Sequence, residues 1–259
     1  MMTPEALVRA GTSWAAVPFV PEIKLLTAPE PFGLWSHTER EDPPFWAFPW
    51  AGGQALARYV LDHPGTVHGR RVLDAASGSG LVAIAAAKAG AASVIAGDVD
   101  PNAVTAIEIN ARANAATTVT ARAFDLAAAD DGGMASAHFV LAADVFYQRE
   151  LANMALRFLR HAADNGADVL VADPGRAFLP AEHLTALTSY QVPVLTVLED
   201  TTVKTVTVYG LALRPFSMIT ETSCTYTMRI FRDHGPAGRR SGSGRRHRRR
   251  ARLGWVFWV

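Results

Sequence analysis

From residue 71 to residue 172, short apolar or β-branched runs alternate with longer segments whose apolar residues recur at helical spacing. This pattern predicts strands separated by helices, with one more helix before the first strand. The predicted strands are 71–76, 93–98, 118–124, 137–143 and 168–172, and the predicted helices are 50–63, 80–89, 101–114 and 148–164. Such alternation indicates a doubly wound α/β fold, in which a mostly parallel sheet carries helices on both faces.

The pattern changes after residue 172. Residues 180–189 predict another helix. The β-branched runs 192–198 and 202–213 are separated by Glu199-Asp200-Thr201 and predict a hairpin. This hairpin is expected to close the sheet with one antiparallel strand.

These patterns divide the chain into three parts. Residues 1–45 are rich in proline and predict an irregular N-terminal arm with a short helix near residues 4–10. Residues 46–213 form the predicted domain. Residues 214–259 form a tail with 11 arginines and two acidic residues, so the tail carries +9 while the rest carries −8. We predict a disordered extension, because a Gly/Arg/Ser tract cannot bury a core; a nucleic-acid-binding tail is the alternative.

The composition is that of a globular protein, with 49% hydrophobic and 19% charged residues. Cys224 is the single cysteine, which excludes an internal disulfide. No apolar stretch reaches the roughly 18–20 residues that span a bilayer, and the first residues lack the pattern of a signal peptide. The eight histidines show no metal-ligand spacing, so no metal is predicted. We expect a cytoplasmic monomer without membrane contact.

The first candidate ligand-binding residues lie where the first predicted strand ends. Asp74 closes this strand, and Gly78 and Gly80 let the following loop approach a ligand closely. The spacing also fits a dinucleotide-binding loop, so NAD is an alternative ligand. A carboxylate at Asp74 is unfavourable beside a pyrophosphate but can hold the ammonium group of a methionine derivative. Asp98 ends the next strand, where it can accept hydrogen bonds from ribose hydroxyls. We therefore favour S-adenosylmethionine.

Two later strand ends also carry acidic or aromatic residues. Asp125 follows the strand at 118–124, where it can accept from an adenine amino group or cap its own loop. Asp144, Phe146 and Tyr147 follow the next strand. They can face the reacting methyl group, or they can form a helix N-cap beside two core aromatics. Both pairs of alternatives stay open on the residues alone.

Four spaced segments resemble one family. VLDAASGSGLVAIAAAKAGAASVIAGDVDPNAV resembles the first two motifs of seven-strand methyltransferases, especially the ribosomal protein L11 methyltransferase group. With FWAFPWAGGQALARYVLDHP before it and ADVFY and VADPGR after it, the chain resembles the electron transfer flavoprotein β-subunit lysine methyltransferases over about residues 30–213. This resemblance implies a seven-strand Rossmann-like fold, S-adenosylmethionine as methyl donor and a lysine of a protein partner as acceptor.

The motifs, taken with the strand ends, predict site residues. The cofactor-binding positions are Trp50, Gly52, Asp74, Ser77, Gly78, Gly80, Asp98, Asp125 and Asp144. The catalytic residues are Asp144, which is expected to orient the acceptor amine, and Tyr147. Phe146, Tyr147 and Arg176 are the expected substrate contacts, with Arg176 facing an acidic substrate surface. The chain departs from the family at Ala51, where proline is usual, and at Ala76-Ser77, where Gly-Ser or Gly-Thr is typical.

Three other functions remain to be distinguished. A small-amine or heterocycle methyltransferase would use the same fold, and only the ADVFY and WAGG segments favour a protein acceptor. An NAD-dependent oxidoreductase is disfavoured by Asp74 and by the lack of a Tyr-x-x-x-Lys pair. A non-catalytic protein is disfavoured because the candidate acids and glycines are all present.

Overall fold

The computed structural model describes residues 2–29, 34, 44–128, 137–196 and 201–211, and a seven-stranded sheet lies at its centre. The helices are α1 (Pro4–Gly11), α2 (Ala51–Asp62), α3 (Leu81–Lys88), α4 (Pro101–Ala113) and α5 (Arg149–Asp164). The strands are β1 (Ser13–Val17), β2 (Val20–Thr27), β3 (Arg71–Ala75), β4 (Ser93–Asp98), β5 (Val119–Ala123), β6 (Phe139–Ala143), β7 (Asp168–Asp173), β8 (Leu184–Pro193) and β9 (Val203–Leu211).

The sheet has the order β5-β4-β3-β6-β7-β9-β8. Its first five strands pair in parallel, and β9 is antiparallel to both β7 and β8. The predicted doubly wound, mostly parallel sheet with one antiparallel strand is therefore confirmed. The strand order reverses between β3 and β6, and in open α/β sheets ligands bind outside the carboxyl ends of the strands at such a point.

Local sequence explains why the central elements form where they do. In α3, six of the eight residues are buried, which suits an alanine-rich helix enclosed by protein on most sides. In α4, the side chain of Asp100 accepts from the backbone N–H of Asn102 at 2.9 Å, and Pro101 occupies the first turn. An acid followed by proline is a sequence signal for a helix start, and α4 begins there.

The N-terminal arm is more regular than the sequence predicts. The short helix near residues 4–10 is present as α1, but residues 13–27 form an antiparallel hairpin of β1 and β2 instead of irregular chain. Val20, Ile23 and Leu25 of β2 are buried in the core cluster that includes α2 and α3. Pro18, before β2, and Pro21, within it, obscure the strand pattern, because a proline cannot donate a hydrogen bond to a sheet and so argues against a strand.

The helix predicted for residues 180–189 is wrong. A single 3₁₀ turn, Ala181–His183, is followed by β8, which pairs with β9 from Leu184 to Pro193. The hairpin prediction is confirmed, but its first strand begins earlier than residue 192. Since β8 lies at the edge of the sheet and only one of its ten residues is buried, its strand state depends on pairing with β9 rather than on a buried apolar pattern.

The tail lies outside the described residues, as do residues 197–200 of the predicted hairpin. Both interpretations of the tail, disorder and nucleic-acid binding, therefore stay predictions. Within the described ranges, no helix combines the length and apolarity that a membrane span needs. The same ranges contain no cluster of three or more His, Cys, Asp or Glu side chains that could hold a metal ion.

Candidate active site

A cavity of about 440 Å³ lies at the carboxyl ends of β3, β4 and β6, where the strand order reverses. Its volume is within the range of small-molecule and cofactor sites. Residues from the loops after these strands and from the segment before α2 line it. They are Phe45, Trp46, Phe48, Trp50, Gly53, Asp74, Ala76, Ser77, Gly78, Ser79, Leu81, Val82, Asp98, Val99, Asp100, Ala103, Ala143, Asp144, Val145, Tyr147, Leu151 and Arg176.

Asp74 of β3 lies on the cavity wall but is only 2% exposed. Its Oδ2 accepts from Ser77 Oγ at 2.5 Å and from the backbone N–H of Ala83 at 3.0 Å. Burial raises the pKa of Asp74 to about 7, against these two hydrogen bonds, and the nearby charge of Asp98 raises it further. A cation in the cavity would favour the ionised carboxylate.

Asp98 fixes the turn of the loop after β3. Its Oδ2 accepts from the backbone N–H of Gly78 at 2.8 Å, and its Oδ1 accepts from Asp100 N–H at 2.9 Å. Burial raises the pKa of Asp98, although these amides lower it. The carboxylate keeps acceptor capacity for a further donor such as a hydroxyl. The adjacent Val99 is 66% exposed and lines the cavity, so it offers an apolar surface beside this acid.

The backbone of this loop turns through the left-handed region. Gly78 has φ +55° and Gly80 has φ +83°. A Cβ at Gly80 would lie 3.3 Å from Ile107 of α4, so this glycine serves packing, whereas a Cβ at Gly78 would meet only Trp46 Cα at 3.9 Å. Ala76 also has a positive φ, +53°. Its left-handed backbone costs roughly 1–2 kcal/mol, which explains why glycine is typical at this family position.

Asp144 lies directly across the strand reversal from Asp74, in the loop after β6. Its Oδ2 accepts from the backbone N–H of Gly53 in the first turn of α2 at 2.9 Å. The carboxylate therefore caps the positive end of this helix. Asp144 has φ +55°, which a short polar residue tolerates better than most. The predicted N-cap role is thus real, but the helix is α2 and not the one that follows in sequence.

Three aromatic rings form one wall of the cavity beside Asp144. The ring of Phe45 lies 5.2 Å from the ring of Tyr147 and 5.8 Å from that of Trp50, measured between centroids. Trp50 Nε1 donates to the carbonyl of Phe45 at 2.8 Å. Rings in this arrangement exclude water and present faces that attract cations.

Arg176 reaches Asp144 from the next strand end. Its Nη2 lies 3.5 Å from Asp144 Oδ1. The turn before it is fixed by Asp173, the fully buried last residue of β7, whose Oδ1 accepts from the N–H groups of Gly175 and Arg176 at 2.7 Å each. Burial raises the pKa of Asp173, while these hydrogen bonds lower it.

Eight of the predicted site residues line the cavity, and four do not. Those on the wall are Trp50, Asp74, Ser77, Gly78, Asp98, Asp144, Tyr147 and Arg176. Gly52 and Gly80 lie behind the lining residues, where the lack of a side chain leaves room for Asp144 and Ile107, respectively. Two placements are corrected. Phe146 is fully buried in the core around α5, and Asp125 is exposed and caps its own turn by accepting from Ala127 N–H at 2.8 Å.

Sequence reasoning missed three functional features. Phe45 and Val99 are apolar residues in irregular segments, so no pattern singles them out. Asp173 directly follows the strand predicted for residues 168–172, and the strand pattern assigns it no role. An acid followed by Pro-Gly is a turn signal that could have revealed it.

Gly52 is expected to be required for the position of Asp144. A Cβ at Gly52 would lie 2.6 Å from Asp144 Oδ2 and 2.7 Å from the carbonyl of Ala172. Gly52→Ala should destabilise the fold by about 1–3 kcal/mol through overpacking and lower the melting temperature measured by calorimetry. Gly53→Ala is the matched control, since its Cβ would meet only Leu81 at 3.9 Å. Equal melting temperatures for the two variants would contradict this account.

The sheet order and the cavity between β3 and β6 define an α/β protein that binds a nucleoside-type cofactor. Residues 55–170 match the family model for ribosomal protein L11 methyltransferase. The fold is also similar to the crystal structure of a candidate methyltransferase complexed with SAH, at TM-score 0.51 and 11% identity over 74% of this chain and 54% of that chain.

Relatives of known name narrow the class. The electron transfer flavoprotein beta subunit lysine methyltransferase of Xenopus laevis is 34% identical over 197 residues, which cover 73% of this chain and 79% of the frog protein. The protein of the same name from Homo sapiens is also 34% identical and covers 68% and 67%, respectively. This chain belongs to the electron transfer flavoprotein β-subunit lysine methyltransferase family.

Proposed function

We propose that this protein transfers a methyl group from S-adenosylmethionine to the ε-amine of a lysine in a partner protein. The observation that carries the proposal is the meeting of Asp74, Asp98 and Asp144 at one cavity, at the strand reversal, in a chain of this family. Relatives are named for the β-subunit of electron transfer flavoprotein, and we propose the same partner here.

The cavity fits the methyl donor. Asp74 is a buried acid that gains from a cationic group such as the donor's ammonium. Asp98 has lone pairs available for sugar hydroxyls. Trp46 lines the cavity, and its indole N–H is buried without a hydrogen-bond partner among the described residues. A carboxylate in the ligand would be an acceptor for it.

The other side of the cavity suits the acceptor. When bound, S-adenosylmethionine supplies a methyl group whose bond to sulfur breaks, leaving the electron pair on sulfur, as the amine's lone pair forms the new N–C bond. Asp144 holds the amine by accepting a hydrogen bond from one of its N–H groups. The carboxylate itself is positioned by the hydrogen bond from Gly53 N–H. Tyr147, Phe45 and Trp50 exclude water and shape the path of the lysine side chain. Such positioning supplies much of the acceleration in a reaction with a good leaving group.

The test is labelled-methyl transfer by the full-length protein. Incubation with radiolabelled S-adenosylmethionine and the purified β-subunit of electron transfer flavoprotein should label that subunit, and hydrolysis should yield labelled methyl-lysine. The control is the same subunit with its lysines acetylated beforehand, which should take up no label.

Other outcomes would point to the alternatives. Label found only in small amines from a cell extract would indicate a small-molecule methyltransferase. Binding of NAD, with no binding of the sulfonium compound or its demethylated product, would overturn the proposal. The cytoplasmic location and the monomeric state stay predictions.

A further inference from the structure

A shielded ion pair lies beside the acid that orients the acceptor amine. Nη2 of Arg176 lies 3.5 Å from Oδ1 of Asp144, and both side chains line the cavity. The two side chains are 21% and 12% exposed, and Oδ1 itself is shut off from solvent. Mobile ions and water therefore screen this pair less than they would on the surface.

Hydrogen bonds of backbone amides fix the carboxylate of Asp144 and the turn that carries Arg176. Oδ2 of Asp144 accepts from Gly53 N–H at the start of α2. Arg176 is held by the buried Asp173, whose Oδ1 accepts from two successive N–H groups of the turn. The Arg176 side chain therefore extends from a fixed turn, and only 21% of it is exposed to solvent.

An acid beside an acceptor amine has two opposing effects. Its oxygens orient the amine by accepting a hydrogen bond from an N–H group, but its negative charge stabilises the ammonium form. The ammonium has no lone pair and cannot attack a methyl group. An arginine remains protonated at every working pH, so its charge opposes the second effect and leaves the first intact.

We propose that Arg176 cancels the charge of Asp144, so that the acid orients the neutral acceptor amine without stabilising its ammonium form. This inference rests on the proposed lysine methylation, and it makes Arg176 a positioning residue that acts through Asp144. The ammonium proton leaves to water before the lone pair forms the N–C bond. In this proposal Arg176 acts inside the cavity, whereas the sequence-based interpretation places it against an acidic substrate surface.

Other charged or titratable groups of the described residues line the same cavity or lie near Asp173, in the turn before Arg176. They are Asp74 of β3, Asp98 and Asp100 at the end of β4, Tyr147 after β6, Asp173 of β7 and Lys204 of β9, with the first turn of α2 adding the N–H of Gly53. They act on every Arg176 variant alike. A comparison of variants at saturating donor therefore isolates the charge of Arg176.

The test measures kcat and KM for the purified flavoprotein β-subunit from about pH 6 to about pH 10, with full-length wild type, Arg176→Gln and Arg176→Lys. In Arg176→Gln, the midpoint of the kcat profile should rise by about one pH unit. At neutral pH kcat should fall about tenfold, and KM should not rise. Arg176→Lys keeps the charge and should keep the wild-type midpoint.

The alternatives give different results. A contact with an acidic substrate surface would raise KM and leave the midpoint unchanged, which overturns the inference. Equal loss of kcat at every pH, or identical profiles for the Gln and Lys variants, overturns it as well. Arg157→Gln removes an exposed charge on α5 and should match wild type; an equal shift there would count against the inference. Absence of transfer by wild type, measured first, is instead a failure of the proposed function.

Discussion

Asp144→Ala is expected to reduce kcat for methyl transfer by at least about 100-fold, with the affinity for S-adenosylmethionine little changed. The variant loses the carboxylate that orients the acceptor amine, and the contacts of that carboxylate with Arg176 and with Gly53 N–H are lost with it. Asp74 and Asp98, the proposed contacts to the methyl donor, lie at other strand ends and should keep their hydrogen bonds to the loop after β3. Rapid mixing of enzyme, donor and acceptor protein measures the methyl-transfer rate, and calorimetric titration measures donor affinity.

Two controls separate chemistry from structure. Asp144 caps α2, so its loss should cost about 1 kcal/mol of stability, and circular dichroism must show that the variant is folded. Asp164→Ala, at the exposed end of α5, should keep wild-type activity. If donor affinity and transfer fell by the same factor in Asp144→Ala, Asp144 would be a structural residue for the whole cavity.

The sheet could be predicted because its central strands are buried on both faces. Val72, Leu73, Leu141 and Leu170 lie in near-continuous apolar runs, which signal parallel strands between helices. The edge strand β8 has no such signal, since its pairing with β9 involves residues up to about 27 positions apart. Its first four residues, Leu184-Thr185-Ala186-Leu187, include three that are also compatible with a helix.

The site was predictable only as far as the strand ends fixed it. Asp74, Asp98 and Asp144 each follow or end a parallel strand, so fold alone brings them to one edge. Side-chain direction within an irregular loop is not periodic, and so Phe146 turns into the core while its neighbour Tyr147 faces the cavity. The approach of Arg176 to Asp144 joins two strand ends 32 positions apart, which no local pattern encodes.

Asp74 is expected to make donor binding strongly dependent on pH. In the free protein, burial raises the pKa of Asp74 to about 7 from its ordinary value of 3.8. Below that pKa the folded protein must release a proton before the acid can pair with the donor's ammonium. Affinity for S-adenosylmethionine should therefore fall about tenfold per pH unit below 7 and be roughly 100-fold weaker at pH 5 than at pH 8. Calorimetric titration across this range measures the slope.

The raised pKa of Asp74 also determines whether the free energy of unfolding rises or falls with pH. Because the pKa of Asp74 is higher in the folded than in the unfolded state, the folded protein binds the extra proton between about pH 4 and pH 7. The free energy of unfolding of the free protein should fall as pH rises through this window, and donor binding should restore it. Asp74→Asn keeps an oxygen acceptor for Ser77 and Ala83 but carries no charge to bury.

Asp74→Asn thus separates a role of the carboxylate in binding the donor's ammonium from a role in stabilising the loop. If the carboxylate serves the donor, the variant should bind S-adenosylmethionine weakly at pH 8, lose most of the pH dependence, and melt no lower than wild type in the free state. The demethylated product carries the same ammonium and should show the same slope with wild type. A steep slope that persists in Asp74→Asn would assign the titration to Asp98, whose pKa burial also raises, and would remove Asp74 from the ammonium site.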